Sequence, residues 1–293
     1  MKWKIGLCGA VVLGVCGVGP AVGESTWQER LDLAVQSQVV FQHDGFTDVV
    51  DPYDGVDAWL EAKLVGWFDA ARRVGAYFSL VPTYASVDEF FWSRHVDVAG
   101  GVQYYPLYRP ESATLVNPLR LYGQVVNRAY YDRQGDTEGD LDWQVGADLY
   151  WDNLGATPVT LLLYQNAALR RTNFSQDDYE ALLWNGNVKA GPSWFIGDAL
   201  ILPHVILDHA WAPDHEDRWW ENYVRLGVGL QWYPASRGLS DQGDFVDDIA
   251  RRFHLFVEGV QNVSWLGDEP PESVDETDIR AGLAFSSGLY FRD

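Results

Sequence analysis

Carboxylates, amides and aromatic rings recur at every second position along several stretches of this chain. Asp57, Trp59, Glu61 and Lys63 form one set, and Arg120, Tyr122, Gln124 and Arg128 another. Asp142, Gln144, Asp148 and Tyr150 form a third, joined by Asp198, His204 and Asp208, by Arg225, and by Glu258 and Asn262. Two kinds of chemistry suit such sets. Carboxylate rings attract cations. Mixtures of carboxyl, amide and aromatic groups suit sugars, whose ring faces stack on Trp or Tyr while their hydroxyls bond to Asp, Asn and Gln. The same acids can instead pair with Arg120, Arg128, Arg225 or Arg280 and fill a small interior.

Other chemistries find less support. A hydrolase needs a serine, a histidine base and an orienting group that converge. The histidines are His43, His95, His204, His209, His215 and His254, and none lies in a hydrolase motif; G-x-S-x-G is absent. His204 and Asp208 share one strand face but stand about 13 Å apart along it, at ~3.3 Å per residue. The acidic runs Asp214, Glu216, Asp217 and Asp268, Glu269, Glu272 do not have calcium-loop spacing and read as solvated surface. A paired-carboxylate glycosidase stays open, because any two strands can bring acids together. The expectation is a protein that is not an enzyme, with no cofactor and no metal site.

These side chains alternate because their segments carry apolar residues at the intervening positions. Leu141, Trp143, Val145, Ala147, Leu149 and Trp151 make one face; Asp142, Gln144, Gly146, Asp148 and Tyr150 make the other. A strand separates the two sets, whereas a helix mixes them. Val224, Leu226, Val228, Leu230 and Trp232 alternate in the same way against Tyr223, Arg225, Gly227, Gly229 and Gln231. About twelve such segments occur, near 29–42, 56–69, 74–86, 93–107, 119–132, 140–153, 157–171, 179–191, 194–210, 220–234, 251–266 and 277–292. Most are longer than the ~5–6 residues usual for strands of soluble sheets. Strands that cross a membrane at a tilt need ~9–11 residues plus rims.

The connections alternate as well. Asp69–Arg73, Asn153–Thr157 and Gly191–Ser193 are short, while Arg133–Asp140, Pro213–Asp217 and Asp268–Asp278 are longer and acidic. Tyr108–Pro118 and Ala235–Ala250 are long but fall on the short-turn side, and the second holds a helical stretch, Asp244–Ala250. Trp151, Trp211, Trp232 and Phe291 sit near the ends of apolar faces, where a membrane interface places aromatic girdles. The expected fold is all-β: a single antiparallel transmembrane β-barrel of about twelve strands over residues 24–293. A soluble sandwich alternates too, with its apolar face as core.

Composition agrees with this reading. The chain has 293 residues and a formal charge of −21, with 14 % aromatics. Such acidity argues against nucleic acid as a partner, which requires a basic face. Lys2 and Lys4, the apolar run Ile5 to Val18 and the small-x-small triplet Ala21-Val22-Gly23 read as a cleaved signal peptide over residues 1–23. Cys8 and Cys16 would leave with it, so no disulfide is expected.

The run Ala190-Gly191-Pro192-Ser193-Trp194-Phe195, the strand with Pro203 and Asp208, and Val224 through Trp232 resemble the C-terminal outer-membrane barrel of the phage adsorption protein A and exopolysaccharide-export type. Gly101 to Pro106 with Leu119 to Tyr122 extend the resemblance more weakly. That resemblance implies an outer-membrane channel passing or exporting a polar solute, an exopolysaccharide first. Phe291 on the last strand resembles the terminal aromatic read by the barrel assembly machinery, although Arg292-Asp293 follow it, so that machinery and outer-membrane lipid are expected partners. Those relatives carry a periplasmic helical-repeat region that this chain lacks, so a separate periplasmic export partner is expected to supply it. An acidic interior would favour a neutral or partly cationic polymer over a polyanion. The alternative is a plugged structural or receptor barrel whose acidic loops bind cations or partners. A continuous polar bore marks the channel; Arg–carboxylate pairs spanning it mark the plug.

Overall fold

The computed structural model describes residues 31–44, 53–69, 71–86, 94–109, 115, 117–131, 141–172, 179–214, 221–236, 245–268 and 277–286. The elements in chain order are β1 (Leu31–Asp44), β2 (Tyr53–Trp67), β3 (Val74–Ala85), β4 (His95–Tyr104), β5 (Arg120–Tyr130), β6 (Leu141–Asp152) and β7 (Val159–Thr172). There follow β8 (Tyr179–Pro192), β9 (Trp194–Ile196), β10 (Ala199–Trp211), β11 (Tyr223–Tyr233), α1 (Phe245–Arg252), β12 (His254–Trp265) and β13 (Thr277–Ser286).

Every strand pairs antiparallel with its neighbour, and β13 returns to β1 in the register Gln36↔Ser286 to Asp44↔Asp278. Twelve strands therefore close a ring, with β9 as a short extra piece. Closure satisfies the backbone groups that an open edge would leave unpaired in lipid. The apolar set of each strand faces outward. Phe78, Val145, Val205 and Val228 are each more than half exposed there, a surface that water would penalise and lipid accepts. Trp184, Trp211 and Trp232 lie exposed among them as interfacial aromatics. The inner face holds the buried polar groups, including Lys63, Gln103, Asp142 and Glu258.

The two rims differ. The short-turn rim carries the β2–β3 and β6–β7 turns, and the start of β1 lies there beside Gly66. In the β2–β3 turn, the Asp69 carboxylate accepts from the amides of Arg73 (2.7 Å) and Val74 (2.9 Å). Arg72 there adopts φ 53°, a left-handed conformation that single turn residues use. Partial desolvation pushes the Asp69 pKa up, but the Val74 and Arg73 donors outweigh it and hold the carboxyl below its usual range. The long connection after β4 turns back on the barrel, with the Tyr105 ring 5.9 Å from Trp67 and 6.4 Å from Tyr108.

The expected turn at Gly191–Ser193 is not a turn. β10 pairs with β8 and with β9 in one continuous register, so Pro192 falls opposite Pro203. Neither proline donates a backbone hydrogen, so the ladder is interrupted there while the strand runs on. The chain reverses at Gly197-Asp198 instead, where Gly197 takes φ 61°. β9 and the start of β10 then overhang the short-turn rim. Phe195 and Leu200 cover the β6–β7 turn at Gly155, and the Ser193 amide donates to the Pro158 carbonyl (2.9 Å). The helix expected at Asp244–Ala250 is α1, shifted toward Arg252. The signal-peptide stretch, Phe291 and most of the acidic connections lie outside the described residues.

Candidate functional site

The candidate functional surface is the inner wall. Its charges join strand to strand. Arg120 on β5 grips Asp148 on β6 through two nitrogens, with Nε to Oδ1 at 2.9 Å. Arg128 on β5 is bidentate to Asp97 on β4, at 2.7 and 2.8 Å. Arg170 on β7 meets Asp142 on β6 at 2.9 Å. Planar guanidinium forks suit such carboxylates, and cross-strand neighbours bring them within reach. Between these pairs runs an amide relay: Tyr77 donates to Gln124 (2.7 Å), Gln124 to Gln144 (3.1 Å) and Gln144 to Asp142 (3.0 Å). Lys63 lies 3.9 Å over the Tyr77 ring.

Glu258 on β12 organises the opposite wall, and it is 2 % exposed. Lys189 on β8 and His204 Nε2 on β10 (3.1 Å) contact one of its oxygens, and Arg280 on β13 (3.2 Å) the other. His204 Nδ1 lies 3.0 Å from the Leu202 carbonyl, so both ring nitrogens face acceptors. The His204–Glu258 contact crosses over β11 at Gly229. A β-carbon there would stand 2.7 Å from His204 Nε2 and 2.7 Å from Glu258 Cγ. Gly101 plays the same part on β4, where a β-carbon would meet the Tyr77 ring at 2.7 Å. Glycine at these inward positions lets long polar side chains lie along the wall instead of across the lumen.

Two contacts reach further. Lys189 and Glu258 stand three strand intervals apart. Arg252, at the end of α1, meets Asp152 at the end of β6 at 3.0 Å, on the far side of the ring from β12. This bridge crosses the short-turn end of the lumen. Beside it lies a cavity of about 250 Å³, lined from both walls by residues including Trp59, Tyr150, Tyr164, Lys189, Gln231 and His254.

The residues singled out in the sequence mostly occupy this wall. Asp57 accepts from Gln42 (2.7 Å), Trp59 donates to Gln38 (3.2 Å), and Glu61 accepts from Gln36. Arg120, Asp148, Asp142, Gln144 and Glu258 form the clusters above. Tyr122 accepts from Asn166 (2.8 Å), and Tyr150 faces the cavity. Asp208 and Arg225 pair in register on β10 and β11, with Arg225 stacked 3.8 Å over Tyr223. Asp198 is the exception: with Gly197 it forms the two-residue β9–β10 turn, outside the bore.

Much of the acid of the inner wall is paired. Among the described residues, Asp97, Asp142, Asp148, Asp152 and Glu258 each meet an arginine or lysine, whereas Asp57 and Glu61 meet Gln42 and Gln36. By sequence, the chain's excess acid resides largely in the long-rim connections. Lys189, Tyr164 and Asp97 also belong to the wall, and alternation within their strands would have found them. Arg252 carries no such signal, since it acts from a helix. Among the described residues, no three His, Cys, Asp or Glu side chains converge as a metal-binding group.

A closed ring with an apolar exterior and a polar, hydrogen-bonded interior is a transmembrane β-barrel of the bacterial outer membrane. No protein-family model and no curated protein matches the chain. Among solved structures, it is similar to an outer membrane channel from Pseudomonas putida F1, at 10 % identity, covering 92 % of this chain and 99 % of that one, TM-score 0.42. It is also similar to the β domain of the Bordetella autotransporter BrkA (12 % identity, 87 % and 99 % covered, TM-score 0.38). A third is the KdgM porin in complex with disordered oligogalacturonate (10 % identity, 86 % and 98 % covered, TM-score 0.38).

Proposed function

We propose that this barrel is a passive channel for polar solutes, saccharides first, with weak charge selectivity. The observation that carries the reading is the lateral bonding of the wall. Arg120–Asp148, Arg128–Asp97 and Arg170–Asp142 each join adjacent strands, and glycines let neighbouring side chains lie flat. A wall built this way leaves room along the axis, except at the short-turn end where the Arg252–Asp152 bridge crosses, while presenting hydroxyl-compatible groups to it. The resemblance to exopolysaccharide-export barrels narrows the solute to a glycan strand, handed over by a separate periplasmic partner. The pairing of Asp97, Asp142, Asp148, Asp152 and Glu258 weakens the argument against a polyanionic polymer.

Refolded protein in a planar bilayer tests this directly. The expected result is steady conductance with cation and anion permeabilities within a few-fold of each other, together with sugar uptake in proteoliposomes. Insertion without conductance would transfer the assignment to a plugged receptor barrel, with the Arg252–Asp152 bridge as part of the plug.

A further inference from the structure

The cavity beside the Arg252–Asp152 bridge has one wall built unlike the rest of the lumen. Tyr150 on β6 and Tyr164 on β7 stand directly opposite each other in the strand register. They are 48 % and 40 % exposed, whereas Tyr77 and Tyr122 on the same inner face are each 6 % exposed. Those two are buried within the hydrogen-bonded wall. The Tyr150–Tyr164 pair instead lines the cavity with exposed surface, while the Tyr150 hydroxyl is held by the Asp152–Arg252 bridge. Asn187 and Gln38 supply amides around the same space. The two cations at its border, Lys189 and Arg252, are each matched to a carboxylate, Glu258 and Asp152. The cavity thus presents aromatic faces and amides without an excess of either charge.

Resting on the channel reading above, we propose that this cavity is a saccharide subsite for one neutral pyranose ring. The sugar stacks on the Tyr150–Tyr164 platform, and Asn187 and Gln38 bond its hydroxyls. The Arg252–Asp152 bridge is the floor that slows its exit at the short-turn end. A volume of about 250 Å³ equals about eight waters at ~30 Å³ each, roughly the room a hexose ring needs with its hydroxyls. Aromatic stacking with flanking amides is the usual way to hold an uncharged polyol in a wet site.

The test uses the full refolded chain with maltotriose as probe, read by calorimetry in detergent and by uptake in proteoliposomes. Maltotriose should bind the wild type, and Tyr164→Ala should weaken binding about tenfold, the size of one lost aromatic contact. Tyr150→Ala should do the same, and Tyr84→Ala, on the lipid face, should not. Arg252→Gln should speed uptake. Heat-modifiable migration on gels verifies that each variant folds, and Asn187→Leu serves if an alanine variant does not. Binding without conductance would preserve the subsite and defeat the channel reading. Conductance with no maltotriose binding, or with binding indifferent to both tyrosines, would overturn the subsite and leave the channel standing.

Discussion

Two glycines on adjacent strands make a matched pair of perturbations. Gly229 on β11 faces the lumen and Gly259 on β12 faces lipid. Alanine at 259 meets nothing within 4 Å. It should stabilise by about 0.4–1 kcal/mol, by restricting the unfolded chain. Alanine at 229 makes the same backbone change, but its methyl would sit 2.7 Å from both His204 Nε2 and Glu258 Cγ. Overpacking of that kind costs about 1–3 kcal/mol. The clash also separates a charged hydrogen bond, worth about 1.5–3 kcal/mol. Solvent gives little relief, because the His204 and Glu258 side chains are 0 % and 1 % exposed. Net of the backbone gain, Gly229→Ala should destabilise by roughly 2–5 kcal/mol. At an m-value of about 2 kcal/mol/M, the urea midpoint should fall by about 1–2.5 M. Equilibrium unfolding from lipid vesicles, followed by tryptophan fluorescence, reads both variants. In a Glu258→Ala background the Gly229→Ala cost should shrink by about 2 kcal/mol, since contacting residues couple. Equal urea midpoints for the two glycine variants, or no coupling to Glu258, would refute the idea that Gly229 exists to let this pair meet.

Arg120→Gln leaves Asp148 without its guanidinium. One unit charge at ~6 Å acts through water with ~0.7 kcal/mol, so the cation-to-anion permeability ratio read from reversal potentials should rise about threefold. Wild-type selectivity should be near neutral in 1 M salt. It should tilt toward cations at 0.1 M, where acidic rim connections act across a ~10 Å screening length instead of ~3 Å; a salt-independent ratio would count against it. The Asp69 carboxyl titrates below its usual range in the fold. Its contribution to stability is therefore present above the unfolded value near 4 and is lost as pH falls through the lower folded value. Urea midpoints between about pH 5 and 3 should drop more steeply for wild type than for Asp69→Asn.

Strand identity was legible in the sequence wherever alternation was strict. Leu141 to Asp152 shows this, since lipid and lumen sort side chains by single positions. Partners were not legible. Arg120 meets Asp148 and Arg170 meets Asp142 only because β5, β6 and β7 have a particular register, which no single strand encodes. The pairing of the wall's charges was hidden for the same reason. The Gly191-Pro192-Ser193 run looked like a turn because its residue types favour one. Register decided otherwise by setting Pro192 against Pro203 and moving the reversal to Gly197. Asp198 shares the parity of His204 and Asp208 but falls within that reversal. Arg252 was invisible because its reach to Asp152 depends on where α1 docks.

The lateral pairing of the wall also sets how its field decays. A carboxylate with a guanidinium a hydrogen bond away acts as a dipole, and a dipole's potential falls off faster with distance than that of a lone charge. A few ångströms from the wall, opposite signs largely cancel. At the wall itself each pair still binds water strongly, which opposes the drying that closes apolar constrictions. On the channel reading, the field along the axis would be weak beside these pairs, and passage there would depend on shape and hydrogen bonding more than on the sign of the traveller's charge.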